Sequence, residues 1–187
     1  MTRITRRSVM GALAFMAAGL VAAGSATAHG PTRQRVSQTV EIAKPPEAVW
    51  AIVKDFDGFA RWHPLVASSR ADRGNEIGSK RTVVLKAPGD PSFVEELLKY
   101  SDADRSLSYK IEAVDPKVLP VNNYTAWLEV RPNPAGGSTV EWRAAFYRGY
   151  MLNDPPPELN DAAAVKAVTG VVRAGLDNLK RIAEAGS

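Results

Sequence analysis

Residues 36–64 read VSQTVEIAKPPEAVWAIVKDFDGFARWHP, and the period of this stretch changes partway along. Val36, Gln38, Val40 and Ile42 alternate imperfectly with Ser37, Thr39 and Glu41, the two-residue period of a half-buried strand. Pro45 and Pro46 end that pattern. Proline is tolerated at the start of a helix, where its missing N–H has no partner to lose, and Val49, Trp50 and Val53 follow at three- and four-residue spacing. Asp55 to Pro64 then mixes turn formers with Phe56, Phe59 and Trp62, rings that need a cavity wall or a core to pack on. A strand, a proline-started helix and an aromatic corner thus follow in immediate succession.

Upstream of this unit the chain reads as an address, not as fold. Residues 1–28 carry Arg3, Arg6 and Arg7, then an apolar run from Val9 to Ala23, then Ala26-Thr27-Ala28, a small-residue cleavage signature. The paired arginines in Thr5-Arg6-Arg7-Ser8-Val9-Met10 suit a twin-arginine export signal. The alternative, a membrane anchor, is disfavoured because the apolar run is short for a bilayer span. Cleavage after Ala28, a periplasmic location and no stable membrane insertion afterwards are expected, with residues 29–187 forming one domain.

Removing the signal changes the charge. The whole chain has 24 Lys and Arg against 20 Asp and Glu; without the three signal arginines the count is 21 against 20, a net of +1. No basic block follows residue 28, so nucleic acid is not an expected partner. The absence of cysteine removes thiol chemistry, iron–sulfur clusters and disulfide support, and leaves core burial to hold the domain together.

Further along, Lys80–Ala87 and Ser92–Tyr100 flank Pro88-Gly89-Asp90-Pro91 and read as a hairpin. Leu107–Val114, Tyr124–Val130 and Thr139–Tyr147 extend it into an antiparallel meander. Between Asp161 and Ala185, Val165, Val168, Val172, Leu176, Leu179 and Ile182 recur at steps of three and four, with Asn160 or Asp161 as the N-cap. A long helix with one apolar stripe needs a surface, and the concave side of the meander supplies it. The expected class is α+β.

This order of elements resembles the helix-grip fold of the SRPBCC superfamily, which includes START domains, the birch-pollen-allergen family and polyketide cyclase-like proteins. More narrowly, His29-Gly30-Pro31-Thr32, Val53-Lys54-Asp55-Phe56-Asp57, Trp62-His63-Pro64, Leu119-Pro120-Val121-Asn122-Asn123-Tyr124, Val140-Glu141-Trp142-Arg143 and Asn153-Asp154-Pro155-Pro156-Pro157-Glu158 resemble the MxaD-type periplasmic accessory proteins of methanol oxidation. The resemblance implies a curved antiparallel sheet around a long C-terminal helix, with a pocket between them. It also implies methanol dehydrogenase and its cytochrome c as partners, and no cofactor.

Strand parity places the side chains, because residues two apart share a face. With the turn centred near Pro88, Val83 opposes Phe93 and Arg81 opposes Glu95, a cross-strand ion pair on the apolar side. Such a pair is either a polar anchor for a ligand, or an acid/base couple, or purely structural; a register slip would bring Glu96 inward instead. The resemblance adds that cyclase-like and dehydratase-like relatives use an Arg and a Glu on these neighbouring strands. The same parity puts Tyr109, Tyr124, Trp142 and Phe146 on the inner side, where rings either line a small-molecule cavity or fill the core. Trp62 and His63 border the pocket in the family, so the expected lining is Trp62, His63, Arg81, Glu95, Tyr109, Tyr124, Trp142 and Phe146. His63 is expected to titrate near neutral pH and act as acid or base, unless it is a packed corner residue.

Trp127 falls off the apolar parity and is expected as an exposed, partner-contacting ring. Met151, Leu152, Pro155, Pro156 and Pro157 form a stiff, partly apolar connector that covers the pocket mouth, meets a partner or simply links two elements. No metal site is expected from two isolated histidines; the one arrangement left is copper held by the amine and imidazole of His29 at a mature N-terminus. Three functional classes follow. They are a non-enzymatic accessory to methanol dehydrogenase, a cyclase- or dehydratase-like enzyme using Glu95, His63 and Arg81, and a carrier of a lipid or other hydrophobe.

Overall fold

The period change at Pro45 marks the first junction of the fold. In the computed structural model, which describes residues 30–185, β1 (Gln34–Ile42) leads into α1 (Pro46–Val53), with Pro46 in its first turn. The export-signal reading and His29 lie outside the described residues. Val49, Trp50 and Val53 of α1 are buried, as their spacing requires. A 3₁₀ turn (Phe56–Gly58) and the one-turn α2 (Phe59–Trp62) make up the aromatic corner, which buries Phe56, Phe59 and Trp62. Among the described residues no helix is long and apolar enough to cross a membrane.

Six more strands follow: β2 (Val66–Ala71), β3 (Lys80–Leu85), β4 (Ser92–Ser101), β5 (Ser106–Ala113), β6 (Val121–Pro132) and β7 (Ser138–Arg148). With β1 they form one antiparallel sheet in the order β1-β7-β6-β5-β4-β3-β2. After a short 3₁₀ turn (Pro157–Leu159) comes α3 (Asp161–Ala185), which packs on β1 and β7. This is an α+β helix-grip architecture.

Two elements depart from the sequence-based expectation. β2 was not foreseen, because only Val66 of Val66–Ala71 is buried and an edge strand with one core residue has no period to read. It is instead anchored by polar contacts, with Ser69 Oγ donating to Asp57 O (2.6 Å) and the Ala71 amide donating to Asp57 Oδ1 (2.6 Å). β6 begins at Val121, three residues before the expected Tyr124. A bulge at Asn122–Asn123, with Asn123 at φ 48°, turns both Val121 and Tyr124 inward although they are three apart, and so breaks the parity that marks a strand.

Helix α3 is capped by Asn160, whose Oδ1 accepts from the Ala163 amide (2.8 Å). Its buried stripe is Ala164, Val168, Val172, Gly175, Leu176, Leu179 and Ala183, while Val165 and Ile182 are only partly covered. The small residues matter for proximity. A Cβ added at Gly175 would stand 2.6 Å from His63 Cδ2 and 2.7 Å from Trp142 Cζ3, so the helix reaches the corner and the sheet together only because that position carries no side chain. The cations of α3 also cover the β1 edge: Arg173 Nη1 donates to Thr39 O (3.1 Å) and Lys180 Nζ to Glu41 O (2.6 Å).

Candidate functional site

Register puts Arg81 directly opposite Glu95 and Val83 opposite Phe93, with both charges on the face turned toward α3. The pair is almost completely buried, at 4% exposure for Arg81 and 2% for Glu95. Arg81 Nε donates to Glu95 Oε2 (2.9 Å), Nη2 reaches the same oxygen, and Nη1 donates to Phe56 O (2.6 Å). The guanidinium also lies over Phe56 (4.1 Å), Phe59 (4.4 Å) and Tyr109 (5.3 Å). Arginine suits such a place, since its planar, weakly hydrated fork stacks on rings while bonding in plane. Burial is the largest influence on the Glu95 carboxyl and pushes it above the ordinary range, against the pull of Arg81.

Beside the pair lies a cavity of about 160 Å³, walled by Phe59, His63, Glu95, Tyr109, Tyr124 and Trp142, and closed by aliphatic side chains from four further segments. Tyr109 and Tyr124 stand 6.4 Å apart, and burial raises both hydroxyls above the ordinary tyrosine range, so they stay protonated donors. Trp142 Nε1 is buried beside the Tyr109 hydroxyl, which it helps to hold, although the two are not well aligned for a hydrogen bond.

Three of the expected lining residues are elsewhere. Arg81 and Trp62 border only a separate void of about 10 Å³, because Arg81 is wrapped by rings and Trp62 sits 5.5 Å from Trp142 with Asn178 on its carbonyl (2.7 Å). Phe146 stacks behind Tyr124 at 6.1 Å. The proline loop does not border the cavity either. That role falls to Val118 and Leu119 in the β5–β6 connection, together with Leu65, Leu85, Phe93 and Val171. Leu85 and Phe93 share the face of Arg81 and Glu95, so parity contained a signal for them; Val118 and Leu119 sit in a connection with no periodicity.

Of the two readings of His63, the packed corner residue is the one the structure bears out, and the ring does not titrate near neutrality. It is 2% exposed, its Nδ1 accepts from the Leu65 amide (3.3 Å), and Nε2 contacts the Val171 carbonyl (3.1 Å) as donor, so both ring nitrogens are engaged in the neutral form. Burial lowers its pKa to about 4, with Arg81 and Lys86 reinforcing the effect and the Val171 hydrogen bond opposing it. Glu96, the residue that a register slip would have brought inward, points outward and pairs with Lys110 (2.9 Å).

The partner-contact residues divide. Trp127 is half-buried on the outer face of β6. Met151 and Leu152 are 41% and 68% exposed, on a connector held by the buried Arg148: Nε donates to Tyr150 O (2.7 Å) and Nη2 to Leu152 O (2.9 Å). Pro155 and Pro156 are half-buried and Pro157 opens the 3₁₀ turn.

Residues 33–184 match the model of a family described as polyketide cyclase/dehydrase and lipid transport. A Thermobifida fusca protein solved in solution is similar, at 30% identity and a TM-score of 0.63 over 80% of this chain and 92% of that one. Norcoclaurine synthase from Thalictrum flavum, in complex with dopamine and hydroxybenzaldehyde, matches 95% of this chain and 99% of its own, with a TM-score of 0.64 at 12% identity. The Zhui aromatase/cyclase from Streptomyces sp. R1128 matches 82% and 94%, with a TM-score of 0.62 at 17% identity. The last two likenesses are of fold.

Proposed function

The chain belongs to the polyketide cyclase/dehydrase and lipid transport family, and from that premise we propose that it binds a small, mostly apolar molecule in the cavity under α3 without transforming it. The observation that carries this reading is the apolar hollow itself, enclosed by rings and aliphatic side chains with the protonated Tyr109 and Tyr124 in its wall. A polar atom of the ligand would meet a tyrosine of the wall, while the rings and aliphatic walls take up the rest of the molecule. At about 160 Å³ the hollow is close to the engineered cavity of about 150 Å³ that accepts benzene, which points to a monocyclic phenol or aldehyde rather than a long lipid. Binding is favoured over proton transfer because both His63 nitrogens are held by backbone and Arg81 is enclosed by Glu95 and three rings. Thermal unfolding with phenol and hydroxybenzaldehyde tests it. Saturable stabilisation is expected, approaching about 2.7 kcal/mol at a hundredfold excess over Kd, and markedly reduced in Tyr124→Phe. No stabilisation up to millimolar ligand would overturn the binding reading, and a turnover abolished by Glu95→Gln would favour the enzyme.

The exposed Met151 and Leu152 on a pinned connector favour a further reading, in which this binding module serves as a periplasmic accessory to methanol dehydrogenase and its cytochrome c. A connector already held in place loses little freedom on docking. Electron transfer from dehydrogenase to cytochrome should then accelerate with a stoichiometric amount of the protein and lose that acceleration in Met151→Asp/Leu152→Asp. An unchanged rate, or recovery of the protein from the cytoplasm alone, would refute the accessory role and leave the cavity reading standing.

A further inference from the structure

The outer face of the sheet carries a feature that the cavity does not explain. Arg35 of β1 opposes Ala145, and Arg143 of β7 opposes Ser37 and Trp127, so the two arginines lie on adjacent strands two positions apart in register. With Arg33 they surround Trp127 in an open concavity of about 480 Å³. Elsewhere on this face cations are answered by carboxylates: Lys80 by Glu112 (3.0 Å), Lys110 by Glu96 (2.9 Å), Arg131 by Glu141 (2.7 Å). Around Trp127 only Arg143 has a carboxylate in reach. Among the described residues no carboxylate comes within ion-pairing distance of Arg33 or Arg35, and Arg33 lies instead over the Tyr147 ring at 5.8 Å. Arg143 stands 3.8 Å from Glu141, whose oxygens are already held by Arg131 and by the Ser37 hydroxyl (3.0 Å).

We propose that this face docks an acidic, extended segment of a partner protein, with its carboxylates on Arg33, Arg35 and Arg143 and an apolar side chain against Trp127. Guanidinium groups take carboxylates two-pronged, and tryptophan and arginine are the residue types in which binding energy concentrates at protein interfaces. Charge complementarity selects the occupant: Arg33 and Arg35 have no carboxylate partner among the described residues, and Arg143 shares only a long contact with Glu141, which Arg131 and Ser37 already hold. An offset of two strand residues, roughly 7 Å, matches alternate side chains of an extended peptide. This docking face is separate from the cavity and stands or falls without it.

Trp127 also supplies the readout, because Trp50, Trp62 and Trp142 are buried and fluorescence quenchable by acrylamide comes mainly from this ring. The probe is a ten-residue peptide of alternating aspartate and glutamate around one phenylalanine, with a lysine counterpart as control. The acidic peptide should protect Trp127 from acrylamide, with an affinity that falls as salt rises. Arg33→Ala/Arg35→Ala/Arg143→Ala should weaken it about tenfold or more, Trp127→Ala should weaken it also, and three Arg→Lys changes should retain part of it. Equal binding of the two peptides, or binding unchanged in the triple alanine variant, would overturn the proposal. So would equal protection by inorganic phosphate, which would mark a small-anion site, or self-association abolished by the triple variant, which would assign the face to a second copy.

Discussion

Lys80 and Arg81 are neighbours in β3, and Glu96 and Glu95 are their opposite numbers in β4, yet the two cross-strand steps belong to different environments. On the outer face the Glu96 carboxyl is lowered chiefly by its hydrogen bond to Lys110, and solvent shares the charge. One residue away, inside, burial raises the Glu95 carboxyl although Arg81 donates to it twice. The same residue type beside the same kind of partner is therefore shifted in opposite directions, because desolvation outweighs attraction on one side and is minor on the other. The outer pairs are exchangeable surface chemistry. The inner pair is one that neither member can leave alone.

The sharpest way to break this comparison is to remove one inner partner. Arg81→Met should cost about 3–5 kcal/mol in denaturant unfolding, because Glu95 is left buried and unpaired, and adding Glu95→Leu should recover much of the loss. A loss below about 1 kcal/mol in the single variant would place the pair with the outer ones. Second is pH. His63 has a folded pKa of about 4 against 6.5 when unfolded, so between those values the unfolded chain binds a proton that the folded chain refuses. Stability should be full above pH 6.5 and fall by about 3 kcal/mol as pH drops toward 4, and His63→Gln should flatten that slope. A slope that persists in the variant would assign the effect to other groups.

Gly175→Ala comes next. Alanine gains about 1 kcal/mol of helix propensity, but its methyl meets two packed rings at contacts no side chain tolerates, an overpacking cost of about 1–3 kcal/mol, so a net loss is expected. A thermal scan showing net stabilisation would mean that α3 can lift away from His63 and Trp142. The smallest effect belongs to the outer face: Glu96→Gln should leave the unfolding midpoint unchanged within error at moderate salt, since exposed pairs are screened.

Much of the architecture could be read beforehand from local periods. The hairpin register that sets Arg81 against Glu95 follows from one proline–glycine turn, and α3 runs from Asp161 to Ala185, the limits its spacing implies. Elements without a period were invisible, as with β2, held by Asp57 and Ser69, and the first residues of β6, where a bulge reverses parity. Of the candidate site, the inward rows of Tyr109, Tyr124 and Trp142 were legible. The exclusion of Trp62, Arg81 and Phe146 from the cavity wall was not, because inward-facing describes a side of the sheet and says nothing of which side chain stands in front of another.

The amino-acid order by itself determined which residues share a strand face, where the chain turns and which stripe the last helix buries, since each depends on neighbours a few positions away. Tertiary structure alone decided that His63 is a neutral, locked ring, that the Trp142 indole nitrogen is buried beside the Tyr109 hydroxyl and that Arg33, Arg35 and Arg143 gather around Trp127. The physical reason is the same in all three. Protonation, hydrogen-bond satisfaction and charge pairing are set by atoms within a few ångströms, such as the carbonyl of Val171 that meets His63 at 3.1 Å from 108 residues along the chain, and only the packed fold brings them there.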